Sequence, residues 1–438
     1  MMKYDLLVIG FGKAGKTLAA KMSSLGKRVA LVEKDSEMYG GTCINVACIP
    51  TKTLIQAAEK NLSFTQAMHL KDTVTARLRH KNEQTLTGSG VDLYHAAARF
   101  VSDKVVEIAA GSDVDQLTAE TIVINTGSVA NVLPIPGLTE SRYVYDSTGI
   151  QSLSEQPESL GIIGGGNIGL EFASLYARLG SRVTVFEYSP QLLSRFDSDI
   201  ADLAKTYLEE DGIHFELSAA VELVSNKGQG VTVTAAGKDY HFDALLYATG
   251  RKPAVAHLGL ENTAIQLTDR GAVQVDEFCE TTVKGIYAVG DVNGGLQFTY
   301  TSLDDFRIVF GKLTGNSSYS LKERRNVPTS MFINPPLSQV GLTEKEAQAA
   351  HLSYQIKKLP VASMPRGHVN NDLRGLYSVL IDPKSKEILG ATLFGAASHE
   401  NINLIKMAMD NKIPYTYIKN QVFTHPSMAE NLNDVFNF

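Results

Sequence analysis

The sequence has no apolar run approaching the ~18–20 residues of a membrane-spanning helix, and no low-complexity tract interrupts it. It has no excess of positive charge: the formal net charge is −6, which argues against nucleic acid or an anionic membrane surface as the main partner. Its one compact basic cluster, Lys322-Glu-Arg-Arg325, lies in a polar stretch before Pro328 and reads as a solvated linker. Met1-Met2-Lys3-Tyr4-Asp5 leads straight into a strand pattern, leaving no room for a signal peptide, so a cytoplasmic setting is expected. Only three cysteines are present, too few for a disulfide scaffold in 438 residues. The histidines lack ligand spacing, so no metal site is expected; His399-Glu400 after Ser398 reads as a helix start.

Two of the three cysteines, Cys43 and Cys48, are close neighbours in Gly40-Gly-Thr-Cys-Ile-Asn-Val-Ala-Cys-Ile-Pro-Thr-Lys52. By spacing alone the pair is compatible with a metal site, a staple or redox catalysis. In a reducing compartment a staple is the least expected of these. Cys279 stands alone and reads as a buried structural thiol.

At this length two to four domains are expected, and the chain carries one plan twice. Strand Tyr4–Ile9 leads into Gly10-Phe-Gly12-Lys-Ala-Gly15, a helix to about Leu25, then strand Val29–Val32 ending on Glu33. Strand Leu160–Ile163 leads into Gly164-Gly-Gly166-Asn-Ile-Gly169, a helix to about Leu179, then strand Arg182–Phe186 ending on Glu187. Each half closes with an apolar strand ending in Thr-Gly: Thr126-Gly127 and Thr249-Gly250.

The first glycine of such a fingerprint makes the strand-to-helix turn. The second admits a pyrophosphate, and the third lets helix and strand pack closely. The helix start then meets the pyrophosphate with N–H groups and a positive dipole end. The acid some twenty residues on accepts bonds from the ribose hydroxyls. Two dinucleotide sites are therefore expected. Glu187 would repel a 2′-phosphate, so NADH is expected over NADPH. Arg182 and Arg195 read as surface residues.

With Gly285-Ile-Tyr-Ala-Val-Gly290-Asp291, Pro50-Thr-Lys52 and Thr424-His425-Pro426 followed by Glu430, the chain resembles the class I pyridine nucleotide–disulfide oxidoreductases over nearly its whole length. That resemblance implies an α/β fold: two Rossmann-like dinucleotide-binding domains, for FAD and NAD, plus a C-terminal α+β dimerisation domain. The expected limits are residues 1–148 and 254–325 for FAD, 149–253 for NAD(P)H and 326–438 for the dimerisation domain of a homodimer. Leu342–Ala350 and Asn401–Asn411 read as helices of that last domain; Tyr377–Ile381 and Ile388–Leu393 read as strands.

By the same resemblance, FAD falls to Gly10, Gly12, Gly15, Glu33, Lys34, Gly41, Thr42, Lys52, Thr126, Gly127, Gly290, Asp291, Phe298 and Thr299. NAD falls to Gly164, Gly166, Asn167, Ile168, Gly169, Glu187 and Gly250. Cys48 is implied as the thiolate facing the flavin and Cys43 as the thiol that meets substrate. A helix start is expected to lower the pKa of the pair. His425 is implied as general acid–base for the partner subunit's thiols, oriented by Glu430. Lys52 and Glu171 are implied as an ion pair beside the flavin. Asn167 stands where glutathione reductases carry a gating tyrosine, so no aromatic lid is implied.

The C-terminal stretch Asn433–Phe438 has no cysteine, unlike mercuric reductases and large thioredoxin reductases, and no arginine cluster suggests a glutathione clamp. Three further segments, Gly294–Asp305, Asn334–Gly341 and Phe423–Asp434, resemble the bacterial reactive-chlorine-resistance flavoproteins, a group of hypothiocyanous acid (HOSCN) reductases. The implied substrate is a small oxidant reduced at Cys43. Competing readings are a dihydrolipoamide dehydrogenase, a copper(II) or mercury(II) reductase, and a non-enzymatic nucleotide-binding redox sensor.

Overall fold

The computed structural model describes residues Met1–Phe438, which form two compact units. The first comprises 1–132, 146–155 and 249–323. Its central strands run in the order Asp92–His95, Val29–Glu33, Met2–Ile9, Asp113–Ile124, Ile286–Ala288, and all of these pairs are parallel. An antiparallel flap, Ala97–Ser102 and Val105–Ala110, pairs with the first half of Asp113–Ile124.

The apolar run Leu6-Leu-Val-Ile9 forms the central strand because both of its faces are covered, as parallel sheets require. Leu6 and Val8 join one buried cluster with Leu18 of the helix Lys13–Ser23 and with Ile308 and Val309 of the helix Thr299–Leu313. Leu7 and Ile9 point to the other cluster, with Ile122, Ile124 and Ile286. Cys279 is fully buried in the first of these clusters, matching its reading as a structural thiol.

The second unit comprises 133–145, 156–248 and 324–438. It repeats the parallel order: Ile213–Leu217, Arg182–Glu187, Ser159–Ile163, Ala244–Tyr247, Val144–Tyr145. Here the antiparallel flap is a separate sheet of Val221–Lys227, Gly230–Ala235 and Lys238–Phe242. The fingerprint helix Asn167–Leu179 ends on Gly180 in a left-handed conformation, φ 103°, which glycine adopts without strain.

Residues beyond 326 build a mixed fold around a five-stranded antiparallel sheet, in which Thr329–Met331 and Leu337–Gly341 are followed by Ile388–Phe394, Leu376–Ile381 and Gln355–Pro360. The helix Ser398–Asp410 packs Ile402 and Ile405 against Tyr377 and Leu393 of that sheet. Polar contacts tie this region to the nucleotide-type segment of the same unit. Buried Asp197 accepts the N–H groups of Glu344 and Lys345 at 3.1 and 3.0 Å, and Arg374 bonds Asp211 at 3.1 Å.

Candidate active site

Both fingerprints are built alike to the level of single hydrogen bonds. Glu33 accepts the N–H of Phe11 at 2.9 Å and of Asp35 at 3.2 Å. Glu187 accepts the N–H of Gly165 at 2.7 Å and of Ser189 at 2.9 Å. Each acid therefore ties the fingerprint loop to the end of the second strand, and each carboxylate keeps lone pairs for a ribose. Burial raises the pKa of Glu33, while the N–H groups of Phe11, Asp35 and Lys34 oppose the rise.

The glycines follow from close approach. At Gly10, φ is +100° and a Cβ would lie 2.5 Å from the Asn125 carbonyl oxygen. At Gly169 a Cβ would lie 1.9 Å from the Gly164 carbonyl oxygen. Asn125, which sequence reasoning did not single out, is the keystone of the first site. Its side chain accepts the Gly15 N–H at 2.8 Å and donates to the Val289 carbonyl at 2.8 Å. It thereby joins the fingerprint helix, the Thr126-Gly127 strand end and the Gly290-Asp291 strand end.

At the last of these, Asp291 accepts a bond from Ser128 at 2.6 Å, and Arg251 donates to the same Ser128 hydroxyl at 2.8 Å. Gly290 donates its N–H to buried Asp305 at 2.7 Å. Thr126 donates to the Ala254 carbonyl at 2.7 Å. Ser128, Arg251 and Asp305 carry no local motif; only the fold brings them to the site.

The structure fits two dinucleotides. Neither fingerprint helix has a side-chain cap at Gly12 or Gly166. In the first loop the N–H groups of Phe11, Ala14 and Gly15 have side-chain partners, leaving those of Gly12 and Lys13 for a phosphate. In the second, a Cβ at Gly166 would meet nothing within 4 Å, so the backbone faces open space. Gly250 likewise faces open space, at φ +95°.

The cysteine loop is held against the first fingerprint. Gly41 has φ +85°, and a Cβ there would sit 2.8 Å from the Gly12 Cα. Thr42–Asn45 is a short helical turn carrying Cys43, and Cys48 heads the helix Cys48–Glu59, with Lys52 one turn on. Asn45 donates to the carbonyls of Tyr39 and Gly41 at 2.9 and 3.0 Å and accepts from Arg79 at 2.9 Å. Buried Gln151 donates to the Val46 carbonyl at 3.0 Å and accepts from Thr51 at 3.2 Å. Lys71, itself buried, fixes the Gln151 carbonyl at 2.6 Å.

Both cysteines are half-buried thiols that are not joined in a disulfide. The Cys48 sulfur lies 3.7 Å from the hydroxyl of Thr299, at the start of the helix Thr299–Leu313. Phe298 stacks on Tyr300 with ring centroids 5.0 Å apart. The expected lowering of the pair's pKa fails for Cys43. Its thiol is pushed up, first by its hydrogen bond with Cys48, then by burial; Thr299 and Lys16 act the other way. Cys43, and not Cys48, lines a cavity of about 700 Å³ flanked by the fingerprint helix and by the long helix Phe64–Thr87.

In the second unit, His425 Nδ1 lies 2.8 Å from Glu430, whose other oxygen accepts the Ser427 N–H at 3.1 Å. The bond with His425 lowers the Glu430 pKa. The imidazole is 69% exposed whereas Glu430 is 18% exposed, so a fixed carboxylate aims a ring at solvent. Glu171 is buried and accepts the Phe332 N–H at 2.9 Å.

A doubled dinucleotide plan, a reduced dithiol braced against one fingerprint and a carboxylate-held histidine define a disulfide oxidoreductase. The chain belongs to the pyridine nucleotide-disulphide oxidoreductase family, which it matches over residues 4–305, with that family's dimerisation domain over residues 327–436. Membership makes it a flavin- and pyridine-nucleotide-dependent enzyme.

Among its relatives, a probable pyridine nucleotide-disulfide oxidoreductase of Escherichia coli K12, RclA, is 46% identical over 437 residues, covering 100% of this chain and 99% of its own. The solved Cu(II) complex of the HOCl-induced flavoprotein disulfide reductase RclA from Escherichia coli matches with a TM-score of 0.98 at 46% identity, covering 100% of this chain and 99% of that one. A dihydrolipoyl dehydrogenase of Geobacillus stearothermophilus is 29% identical, covering 97% of this chain and 94% of its own.

Proposed function

We propose that this enzyme is a cytoplasmic, homodimeric HOSCN reductase that serves oxidant defence and prefers NADH. The observation that carries the reading is that Cys43 alone of the pair lines the cavity, whose lining offers neither an arginine clamp nor a carboxylate. Such a cavity suits a small oxidant better than a peptide disulfide. The relation to an HOCl-induced flavoprotein disulfide reductase supports an oxidant as substrate.

The first fingerprint, with Glu33, Gly41, Thr126, Asp291 and Thr299, would hold FAD; the second, with Glu187 and Gly250, would hold NADH. Bound together, these cofactors supply the electron pair that opens the Cys43–Cys48 disulfide. Lys52 and Glu171 are assigned the ion pair that steadies charge beside the flavin. The partner subunit's His425, held by Glu430, would take the proton of the Cys43 thiol.

The Cys43 thiolate then attacks the sulfur of HOSCN. An S–S bond forms, the S–O bond breaks and water leaves. The Cys48 thiolate attacks Cys43 Sγ, closes the disulfide and expels thiocyanate. In sum, two thiols and HOSCN yield a disulfide, thiocyanate, water and one proton.

A second reading, Cu(II) reduction, is favoured by the Cu(II) complex of the 46%-identical relative. Rapid-mixing measurements of NADH oxidation against HOSCN, lipoamide, glutathione disulfide and Cu(II) decide between them. HOSCN is expected to be turned over fastest, with turnover lost in Cys43→Ser. Faster turnover of Cu(II) or lipoamide would overturn the reading.

A further inference from the structure

The cavity beside Cys43 is lined by four lysines, Lys13, Lys16, Lys21 and Lys81, and by no aspartate or glutamate. Lys16 is set apart from the other three by how it is held. Its ammonium donates to the Gly40 carbonyl at 3.0 Å and to the Asn82 side-chain oxygen at 2.5 Å. Both acceptors are neutral, both belong to residues lining the cavity, and an ammonium has a third N–H to offer. It is also near enough to Cys43 to favour the thiolate there.

A half-buried cation among other cations, with no carboxylate to pair it, is held against both desolvation and repulsion. Burial and Lys13 accordingly lower its pKa to about 8. Unfavourable charge kept in a cleft marks a site that gains from an anion.

We propose that this cavity is an anion subsite anchored on Lys16, which takes small monovalent anions of the pseudohalide class and receives the thiocyanate expelled from Cys43. The identity of that anion rests on the HOSCN reading; the subsite does not. The reacting acid form, HOSCN, is neutral, so Lys16 contributes little to binding that form. When Cys48 attacks Cys43 Sγ, the electron pair of the breaking S–S bond leaves on thiocyanate, and its charge develops in a cavity lined by ammonium groups. Stabilisation that appears only with this charge raises kcat rather than lowering KM.

The test compares alkylation of Cys43 by iodoacetate and by iodoacetamide in the reduced holoenzyme, read by peptide mass. The neutral reagent reports the thiolate; the ratio of the two reports the pull on an anion. Wild type is expected to favour iodoacetate, with thiocyanate competing. Lys16→Met is expected to lower the ratio about tenfold, and Lys16→Arg to retain most of it. An unchanged ratio in Lys16→Met, or no competition by thiocyanate in wild type, overturns the subsite; the second measurement needs no variant to fold. If HOSCN is not reduced while the alkylation ratio holds, the oxidant reading falls and the subsite stands. If HOSCN is reduced with kcat unchanged in Lys16→Met, the subsite's role in product release falls alone.

Discussion

Glu187 accepts the backbone N–H of Gly165 at 2.7 Å, and this bond fixes the second fingerprint loop to the strand Arg182–Glu187. The acid thus braces the loop, and on the NADH reading proposed above it is also the negative charge that a 2′-phosphate would meet. The two roles separate chemically. Glu187→Gln keeps a carbonyl oxygen for Gly165 and removes the charge; Glu187→Ala removes both. In Glu187→Gln, kcat/KM for NADPH relative to NADH is expected to rise about tenfold. Steady-state kinetics with both nucleotides check this. A ratio unmoved by the substitution would show that the carboxylate does not select the cofactor.

Asn125 is the corresponding keystone of the first site. Asn125→Ala leaves the Gly15 N–H and the Val289 carbonyl without their side-chain partner in a buried setting. Two such losses are expected to cost about 2–4 kcal/mol of stability. Urea unfolding measures the loss, and flavin absorbance per protein should fall with it. Gly12→Ala places a Cβ 2.5 Å from the same Asn125 oxygen and is expected to lose flavin by displacing that side chain.

The contrast between Gly12 and Asn125 shows what could be read from the sequence. A glycine fingerprint is local chemistry: its turn, its helix start and its acid lie within one stretch of chain, so the pattern and the strands Tyr4–Ile9 and Leu160–Ile163 were readable to within a residue or two. The partners of Asn125 and Arg251, and the Val46 and Thr51 contacts of Gln151, are brought by remote segments that no local pattern announces. The C-terminal helix was readable as well, and Ile402 and Ile405 on one side of it pack into the buried cluster of the sheet. The direction of the Cys43 shift depends first on its contact with Cys48, which the spacing of the two cysteines does not show. Lys16 was passed over because a lysine in an amphipathic helix reads as a solvated one; its acceptors, Gly40 and Asn82, come from elsewhere.

His425 presents an exposed ring fixed by Glu430. If it serves the partner subunit, Cys43→Ser and His425→Ala homodimers are each inactive, yet a mixed dimer contains one intact site. Activity is expected to return on subunit exchange, to about half per mixed dimer. Turnover of HOSCN before and after exchange checks this; no recovery would place both groups in one subunit. In Glu430→Ala, kcat is expected to fall about tenfold to a hundredfold while flavin reduction by NADH is kept.

The pKa of Lys16 gives its cavity a pH dependence of definite sign. Burial and Lys13 on the same helix lower it to about 8, and Cys43, from the turn Thr42–Asn45, opposes the fall. Asn82 of the long helix and the Gly40 carbonyl contact its ammonium without charge, and Lys21 and Lys81 line the same cavity. A lysine is charged below its pKa and neutral above it. As pH rises through about 8, Lys16 therefore loses its charge while Cys43 moves toward the thiolate. The two alkylating reagents should then diverge. The iodoacetamide rate rises with pH, while the iodoacetate-to-iodoacetamide ratio falls across the same interval. Lys16→Arg, whose guanidinium stays charged, should keep the ratio flat through that range. A ratio that falls equally in the arginine variant would assign the titration to another of the cavity's lysines.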